Sequence, residues 1–284
     1  MSNIVNLSIK LNPIDYSIEK YIKKKSIIDG EYGKMEDKNI NKIVKSLKSL
    51  KIKNIKTLIH LIRHIIINEK IMIRHKKLID NIKKLYEKFK NRSIMYLSKK
   101  YDFAPLMIIR QFLKYNGYNK QKIKNMLKDP EKITDKKLRN DVIFIKENEL
   151  DIFTQVDKSD SEKNAIEFEK QIGKFLSKYS IKFKTQEDLA QEQIIKYGKA
   201  INTPDFLIIS KFTINGKQIN WIDAKNFYGA KSWFIKFSLE KQIKKYIKEW
   251  GFGAIVFSQG VSSELKINND NVILIDYDSL DNAK

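Results

Sequence analysis

The sequence of 284 residues contains no cysteine. Disulfide bonds, zinc-thiolate sites and thiol nucleophiles are therefore excluded, and the absence fits a reducing compartment. The first ten residues also lack the basic-then-apolar order of a signal peptide. The longest apolar run, residues 57–67, is interrupted by His60, Arg63 and His64, which makes it too short and too charged to span a bilayer. We therefore expect a soluble, intracellular protein without a membrane segment.

Histidine is scarce, and the three histidines, His60, His64 and His75, all lie in the first half of the chain. Histidine-based hydrolysis in the C-terminal half is therefore excluded. His60 and His64 have the i, i+4 spacing of metal ligands, but the acidic partner of a zinc-protease helix is missing, so we interpret them as ordinary helix residues. Neither a GxxxxGK[ST] loop nor a GxGxxG fingerprint is present, which argues against a nucleotide-driven motor.

Acidic residues are few in the first half relative to basic ones. Residues 1–150 contain 36 lysines and arginines against 16 acidic residues, whereas residues 151–284 contain 20 against 18. A polyanion such as DNA would be attracted to the first half, and its association would slow as salt increases. An AT-rich coding sequence is an alternative explanation for the lysine count, but it does not explain why the second half lacks the excess of basic residues. DNA is thus the partner that we expect.

The first half has the periodicity of amphipathic helices, with apolar residues at three- and four-residue steps from about residue 38 to 90. Residues 93–127 then have the pattern of a helix-turn-helix. Ser93 suits an N-cap, Pro105 suits the first turn of the next helix, and Asn116-Gly117 suits its end. An ordinary helical hairpin with a solvated basic face is the alternative interpretation.

The pattern changes to mixed α/β in the second half. An amphipathic helix over 165–179 is followed by β-rich runs around Asn215-Gly216, a helix over 237–250 and two short apolar strands. We therefore predict a helical, basic, DNA-binding region over residues 1–135, with its helix-turn-helix at about 93–127. A connector over residues 136–160 and an α/β domain over residues 161–284 follow it.

Two acidic motifs in this α/β domain could carry chemistry. Pro204-Asp205 is followed after 17 residues by Asp223-Ala224-Lys225. Metal-dependent phosphodiester hydrolysis needs hard oxygen ligands that converge, and a nearby cation helps it. Such a pair of motifs also occurs by chance in charged chains. The apolar run before Asp223 favours function, because an unpaired carboxylate in a buried strand is costly.

The register of the predicted hairpin decides whether Asp205 can join this site. A two-residue loop at Asn215-Gly216 would pair Ile208 with Asp223 and place Asp205 on the opposite face. A three-residue loop that begins at Ile214 would pair Asp205 with Lys225, so that both aspartates and the lysine share a face. We favour the three-residue loop because it makes a usable site.

The helix before the hairpin offers a third carboxylate. Glu167 and Glu169 lie two residues apart and so cannot share a helix face; we prefer Glu169 as the metal ligand. Later in the chain, Gln242 and Tyr246 lie one turn apart on one helix and could orient a phosphate or a water. A solvated glutamine and a half-buried tyrosine are an equally good interpretation of that pair.

These motifs resemble those of a known family. The segment from Asn202 to Phe206, residues 216–229 and the Gln242-to-Gly253 segment resemble the TPD-motif family, which includes the codanin-interacting nuclease of animals and archaeal relatives. Upstream, the helix-turn-helix around residues 97–113 is also similar. The resemblance covers roughly residues 90–276, whereas residues 1–90 match poorly. Animal members have Glu-Ser-Lys where this chain has Asp223-Ala224-Lys225, and both acids serve in the superfamily.

The resemblance implies a restriction-endonuclease-like core of the PD-(D/E)xK type behind helical DNA-binding elements. Glu169, Asp205 and Asp223, together with the backbone carbonyl of Ala224, would hold Mg²⁺ or Mn²⁺. Lys225 would stabilise the attacking hydroxide or the transition state, and Gln242 would assist. A nuclear location and a codanin-like partner are implied if the host is eukaryotic. A homodimer is left open, because a duplex cutter needs two sites for two strands.

Three rival functions remain at this point. The first is a nucleic-acid-binding scaffold with an inactive nuclease fold, which the complete Asp205, Asp223 and Lys225 set disfavours. The second is an adaptor for a protein partner. The third is a transcription-factor-like protein that uses its helix-turn-helix. A metal-dependent DNA endonuclease is our prediction from the sequence.

Overall fold

The computed structural model describes residues 4–50, 52, 54–152 and 158–283, with only the backbone described for 158–161. The strands are β1 (Val5–Leu7), β2 (Phe183–Thr185), β3 (Phe206–Ile208), β4 (Phe212–Ile214), β5 (Lys217–Gln218), β6 (Trp221–Lys225), β7 (Gly253–Phe257) and β8 (Val272–Asp276). The helices are α1 (Tyr16–Ser26), α2 (Asp37–Leu47), α3 (Ile55–Asp80), α4 (Ile82–Phe89), α5 (Ile94–Tyr101), α6 (Pro105–Tyr115), α7 (Lys120–Lys128), α8 (Lys136–Glu147), α9 (Lys158–Lys178), α10 (Gln186–Tyr197), α11 (Trp233–Trp250) and α12 (Tyr277–Asp281).

The chain forms two compact units. The sheet unit comprises Met1–Tyr21 and Lys158–Lys284, and the helical unit comprises Ile22–Asp157. The predicted mixed α/β character is confirmed, since helices and two sheets are both present. None of the helices in the described ranges combines the length and the apolar character needed to cross a membrane.

The sheet unit is built on a five-stranded sheet of order β2-β3-β6-β7-β8. Its first three strands pair antiparallel, whereas β6, β7 and β8 are parallel. Side chains of β6 alternate between two apolar layers. Ile222 packs in a core with Phe168 and Ile172 of α9, whereas the ring of Trp221 contacts that of Tyr246 of α11 at 5.1 Å. Helices therefore cover both faces of the sheet.

Gly253 is required by this packing. A Cβ at residue 253 would lie 2.1 Å from Cε2 of Trp221, whose indole covers this point of β7. The same indole donates from Nε1 to the carbonyl oxygen of Gly251 at 2.9 Å, which satisfies its buried polar group. The Trp-Gly-Phe-Gly segment therefore serves close packing between α11 and the central strands.

The N-terminal region is not entirely helical, which corrects the prediction. Val5–Leu7 forms β1, which pairs parallel with β4, and β4 pairs antiparallel with β5, so that the three strands form a second sheet. The side chain of Asn215 accepts a hydrogen bond from the amide of Ile9 at 2.8 Å and donates to its carbonyl oxygen at 2.9 Å. Three residues are too short a strand to show the two-residue period, so the sequence pattern did not reveal it.

The helical unit has its own apolar core. Helices α5, α6 and α7 cover the predicted helix-turn-helix, with turns at residues 102–104 and 116–119. The expected connector over 136–160 instead begins with the twelve-residue helix α8, while residues 153–157 lie outside the described ranges. The buried core residues of α5 to α8 are Ile94, Leu97, Leu106, Ile108, Ile109, Phe112, Leu113, Ile123, Met126, Leu138, Val142 and Ile145.

Positive charge is concentrated in the helical unit. Residues 22–157 contain 34 lysines and arginines against 16 acidic residues, a net charge of +18, out of +22 for the chain. The remaining segments, 1–21 and 158–284, contain 22 basic and 18 acidic residues, a net charge of +4. The two structural units therefore differ in charge in the same sense as the two halves of the sequence, and most of the positive excess lies in the helical unit.

A buried carboxylate anchors the turn between α5 and α6. Asp102 adopts a left-handed conformation with φ of 54°, which ends α5. Its carboxylate forms ion pairs with Lys70 at 2.6 Å and Arg74 at 2.8 Å, and accepts from the amide of Gly30 at 2.7 Å. Burial alone would raise the pKa of Asp102, but these donors and charges outweigh it and the net shift of the pKa is downward.

We predict that Asp102→Asn destabilises the helical unit by about 3 kcal/mol, because it leaves Lys70 and Arg74 without their buried counter-charge. Asparagine tolerates the left-handed backbone, so the loss reports charge alone. Since the pKa of Asp102 is lowered on folding, its contribution is present above the unfolded pKa and is lost as pH falls through the folded value.

Amide hydrogen exchange of peptides from residues 22–152 at pH 7 and at low pH measures this effect. The three tryptophans, Trp221, Trp233 and Trp250, all lie in the sheet unit, so their fluorescence does not report on the helical unit. Exchange should be faster in the variant at pH 7, and the two proteins should converge at low pH. Equal exchange at pH 7 would contradict the prediction.

Candidate active site

A three-residue detour in the hairpin sets the register of the site. Asn215 and Gly216 both have positive φ, 50° and 77°, as a two-residue type I′ turn requires. Beyond this turn, the amide of Ile219 donates to the carbonyl oxygen of Phe212, and the amide of Ile208 donates to that of Asn220, each at 2.9 Å. Residues 209–211 therefore leave the ladder, while residues 219 and 220 continue it.

The detour is held by its own contacts. The amide of Ile209 donates to the carbonyl oxygen of Lys182 at 2.8 Å, and the hydroxyl of Ser210 accepts from the amide of Lys182 at 3.0 Å. An odd number of extra residues reverses which face each later side chain occupies. In a plain two-residue hairpin the side chain of Asp205 would lie on the face opposite to Asp223. The three extra residues move it to the same face.

Asp205 consequently comes opposite Asp223. Phe206 pairs with Ile222 in the antiparallel ladder, so the next position in the ladder places the two aspartates side by side. The favoured three-residue loop was therefore wrong, because the turn has two residues and the detour supplies the change of face. Asp205, Asp223 and Lys225 nevertheless share a face, as the predicted site requires.

Asp223 is the buried centre of the cluster, with 2% of its surface exposed. Its Oδ1 accepts from Nε2 of Gln242 at 3.1 Å and from the hydroxyl of Tyr246 at 3.3 Å. Its Oδ2 forms an ion pair with the ammonium of Lys225 but has no donor in hydrogen-bond geometry. The Gln242 and Tyr246 pair from α11 thus binds a carboxylate, and the interpretation of a solvated glutamine does not hold.

Asp205 has one short hydrogen bond and an unfavourable neighbour. Its Oδ2 accepts from the backbone amide of Ala224 at 2.7 Å. Burial, and then the charge of Asp223, raise the pKa of Asp205 to about 7, although the Ala224 amide and Lys225 oppose the shift. The contact recorded for Ala224 is thus made by its amide, whereas its carbonyl was the expected metal ligand.

The pKa values of two further groups of the cluster are also raised. Burial raises the pKa of Asp223 despite the nearby Lys225, and burial followed by the charge of Asp223 raises that of Tyr246. Negative charge in the cluster is therefore under-compensated by the protein's own groups. A perturbed group of this kind in a cluster is typical of functional sites.

The helix α9 brings Glu169, and not Glu167, toward the cluster. Burial, and then the charges of Glu187 and Asp223, raise the pKa of Glu169. Glu167 is exposed. Glu187, in the first turn of α10, was not singled out from the sequence, because its position near Glu169 depends on how α9 and α10 pack.

A polar frame positions the loop that leads to Asp205. The Oε1 of Gln193 accepts from the amides of Ile201 at 2.7 Å and Asn202 at 3.0 Å. The side chain of Asn202 donates to Glu249 at 2.7 Å on α11. This buried asparagine was part of the recognised motif, whereas Gln193 gave no signal in the sequence that could have identified it.

The donor set suits a hard divalent cation, since carboxylate oxygens are the ligands that Mg²⁺ prefers. Two adjacent carboxylates with raised pKa values, one with an oxygen outside any hydrogen bond, would be stabilised by such a charge. Over the described ranges, however, no three His, Asp or Glu side chains stand ready-arranged as a metal cage. Binding would therefore require Lys225 and the carboxylates to adjust their rotamers.

Comparison with known proteins gives related sequences. A family described as a protein of unknown function with the TPD sequence motif matches residues 134–278. An uncharacterized protein of Acanthamoeba polyphaga mimivirus is 32% identical over 208 residues, which cover 68% of this chain and 73% of that protein. No solved structure matches the chain.

Animal proteins are more distant. The proteins named CDAN1-interacting nuclease 1 in Mus musculus and Homo sapiens are each 27% identical over 191 residues. Those residues cover 64% of this chain and 64% of each animal protein, so the chain spans less than two thirds of their length.

We predict that Asp205→Asn stabilises the protein in EDTA at pH 8 by at least about 1 kcal/mol, because it removes a buried charge whose pKa is raised. A pKa raised on folding gives stability that is present below the unfolded pKa of about 4 and is lost as pH rises through about 7. Wild type should therefore lose stability over this window, and the variant should lose less.

Thermal unfolding followed by tryptophan fluorescence, between pH 4 and pH 8, measures the difference. Glu167→Gln is the matched control, since this exposed carboxylate on α9 should leave the profile unchanged. An unfolding midpoint of Asp205→Asn equal to that of wild type at pH 8 would contradict the raised pKa.

Proposed function

The chain belongs to the TPD sequence-motif family, and from that premise we propose that it is a metal-dependent DNA nuclease of the PD-(D/E)xK type. Glu169, Asp205, Asp223 and Lys225 would form its active site. The nuclease names of the animal relatives support the reaction class.

One observation carries the proposal. Asp205 and Asp223 come side by side from adjacent antiparallel strands and share their face with Lys225. The protein tolerates two buried carboxylates with raised pKa values at this point, which costs stability. Such a cost is expected where the carboxylates have a use, and metal binding is the use that their chemistry favours.

Glu169, Asp205 and Asp223 are the groups that would hold Mg²⁺ or Mn²⁺. Such an ion supplies Lewis-acid activation of the phosphodiester and of the attacking water. The Ala224 amide orients Asp205 through its 2.7 Å hydrogen bond, which leaves the other oxygen of that carboxylate available. The two carboxylates would therefore be offered to an ion from adjacent strands.

Lys225 has a different role from the carboxylates. Its side chain is 18% exposed and ion-paired with Asp223, so its ammonium lies at the edge of the cluster. A cation there can stabilise the additional negative charge that develops on the phosphate in the transition state. Arginine would not replace this lysine, because its planar guanidinium is larger and less adaptable than the compact ammonium of lysine.

Gln242 and Tyr246 position Asp223. Gln242 donates to Asp223 and also to the hydroxyl of Tyr246 at 2.9 Å, and that hydroxyl lies 3.3 Å from the carbonyl oxygen of Thr203. The pair thereby joins α11 to both halves of the motif, Thr203-Pro204-Asp205 and Asp223. Groups that orient metal ligands contribute to affinity without touching the metal.

DNA binding is proposed for the helical unit, whose net charge is +18. Its helix α7 contains Lys120, Lys122, Lys124 and Lys128 without any acidic residue, and all but the buried Ile123 and Met126 and the half-buried Leu127 are exposed. Exposed lysines neutralise phosphates and make binding salt-dependent. Helices α5 to α7 would thus serve as the predicted helix-turn-helix.

A partner adaptor is the second candidate function. The animal relatives are named for their interaction with CDAN1, which favours a protein partner for this family. For this chain a codanin-like partner is a proposal that applies if its host is eukaryotic. An adaptor without catalysis would bind DNA or a partner equally well with and without Asp223.

We predict that Asp223→Asn lowers Mg²⁺- or Mn²⁺-dependent cleavage at least about a hundredfold, because the proposed metal ion loses a charged ligand. Labelled single-stranded, duplex, flap and four-way-junction DNA are the substrates to compare. Salt-dependent DNA binding in EDTA should be retained, since the variant leaves the helical unit unchanged.

Two glutamates on α9 supply a matched control. Glu169→Ala should lose cleavage as Asp223→Asn does, whereas Glu167→Ala, two residues away and exposed, should keep wild-type cleavage. If wild type binds DNA but cuts none of the substrates, the nuclease proposal is contradicted and the scaffold and adaptor functions are favoured.

We further predict that Gln242→Ala raises the Mg²⁺ concentration for half-maximal cleavage about 10- to 100-fold, because Asp223 loses a donor that orients it. Excess Mg²⁺ should restore most of the rate. Ser238→Ala, exposed and one turn earlier on α11, is the control and should show no change. A loss of rate that excess Mg²⁺ does not restore would instead place Gln242 on the substrate.

A further inference from the structure

The helix α11 has an exposed aromatic pair that the proposed chemistry does not use. Its packed face contains Ile235, Leu239 and Ile243, which are buried. Trp233 and Phe237 lie outside that face, with 52% and 67% of their surfaces exposed. They are four residues apart, so they lie one above the other on the same side of the helix.

Lysines continue the exposed side toward the C-terminal end of α11. Lys241 and Lys244 follow Phe237 at four and seven residues, and both are exposed. The whole helix contains five lysines against two glutamates. We name Trp233, Phe237, Lys241 and Lys244 the α11 stripe, which combines aromatic faces with positive charge.

The charge of the α11 stripe indicates what covers it. Two copies of the chain packed through this stripe would bring lysines together, which disfavours a homodimer here. A polyanion is attracted instead. Nucleic acid is the polyanion whose bases also stack on aromatic rings, and the combination of a basic surface with aromatic platforms is the chemistry of single-strand binding.

We propose that the α11 stripe binds a single-stranded segment of the DNA substrate, with one base on each ring of Trp233 and Phe237. Four residues of helix separate the two rings by about 6 Å. Stacked bases follow one another by only about 3.4 Å along a strand. Each ring can therefore receive a base only where the strand is unstacked, which excludes an intact duplex.

The same helix connects the stripe to the candidate active site. Gln242, which donates to Asp223, lies five residues beyond Phe237, or about 7.5 Å along the helix axis. Because these five residues also turn the helix by about 140°, a strand held on the rings would have to pass around α11 to bring its backbone to the candidate carboxylates. The inference rests on the proposed nuclease function and assigns it substrates that contain unpaired DNA, such as flaps, ends or single strands.

Binding in EDTA tests the inference without cleavage. The affinity of the full chain for a fluorescent oligothymidylate is compared with its affinity for a duplex of the same length. Trp233→Leu and Phe237→Leu keep an apolar side chain but remove the ring, and each should weaken oligothymidylate binding about tenfold. Duplex binding should be unchanged. Trp233→Phe and Phe237→Tyr should restore binding of the oligothymidylate.

Phe144→Leu is the matched control. Phe144 is 50% exposed on α8, but its neighbours one turn away are Asn140, Asp141, Glu147 and Asn148 rather than lysines. Its replacement should leave both affinities unchanged. Lys241→Gln and Lys244→Gln should each reduce the dependence of log affinity on log salt by about 0.7, the value for one phosphate contact on a single strand.

Intrinsic fluorescence gives a second readout. Trp221 is fully buried, whereas Trp233 is the most exposed of the three tryptophans. A base stacked on Trp233 should quench its emission when oligothymidylate is added. The quench should be absent in Trp233→Phe even though that variant binds, because Phe237 and the substituted ring still stack.

Several outcomes would overturn the inference. They are no binding of oligothymidylate by wild type, equal binding by the double leucine variant, or an equal loss of duplex binding. A change in sedimentation mass of the leucine variants would instead assign the stripe to self-association. If binding depends on the rings but wild type cleaves no substrate, the α11 stripe is supported and the nuclease function is contradicted. If wild type cleaves DNA but binding does not depend on the rings, the nuclease function is supported and the α11 stripe is contradicted.

Discussion

The juxtaposition of Asp205 and Asp223 is the constraint on which the rest of the sheet unit depends. Two carboxylates from neighbouring strands are held together although burial raises the pKa of each, and the charge of Asp223 raises that of Asp205 further. The protein opposes this cost with few groups: the ammonium of Lys225, the amide of Ala224 and the donors of α11. The divalent cation of the proposed function would add positive charge to that of Lys225 at this pair.

The hairpin shows how the surrounding structure maintains that juxtaposition. The turn at Asn215-Gly216 has two residues, both with positive φ. With this turn alone, the side chain of Asp205 would lie on the face opposite to Asp223. The detour at residues 209–211 restores the face, and its backbone is anchored on Lys182. Asn215 also binds Ile9, so one asparagine serves the turn and the N-terminal strand together. A substitution of Asn215 would therefore disturb both the turn and the contact with the N-terminal segment.

Charge and chemistry are divided between the two units. The helical unit carries +18 of the +22 net charge, which suits long-range attraction of a polyanion, whereas the sheet unit carries the carboxylates that would repel one. Under the proposed function, affinity for DNA and the cutting of DNA are therefore separable properties. Helix α11, with five lysines against two glutamates, brings positive charge to the sheet unit as well.

The sequence by itself determined the mixed α/β class and located the motif residues Asp205, Asp223 and Lys225, because composition, period and spacing are local properties, but it left Glu169 only as a preference over Glu167. It also indicated the family. Only the tertiary structure decided the register, since a three-residue detour leaves no periodic signal, and only packing brought Glu187 toward Glu169 and Gln242 onto Asp223. The three-residue β1 was equally invisible, because its pairing with β4 joins residues about two hundred positions apart.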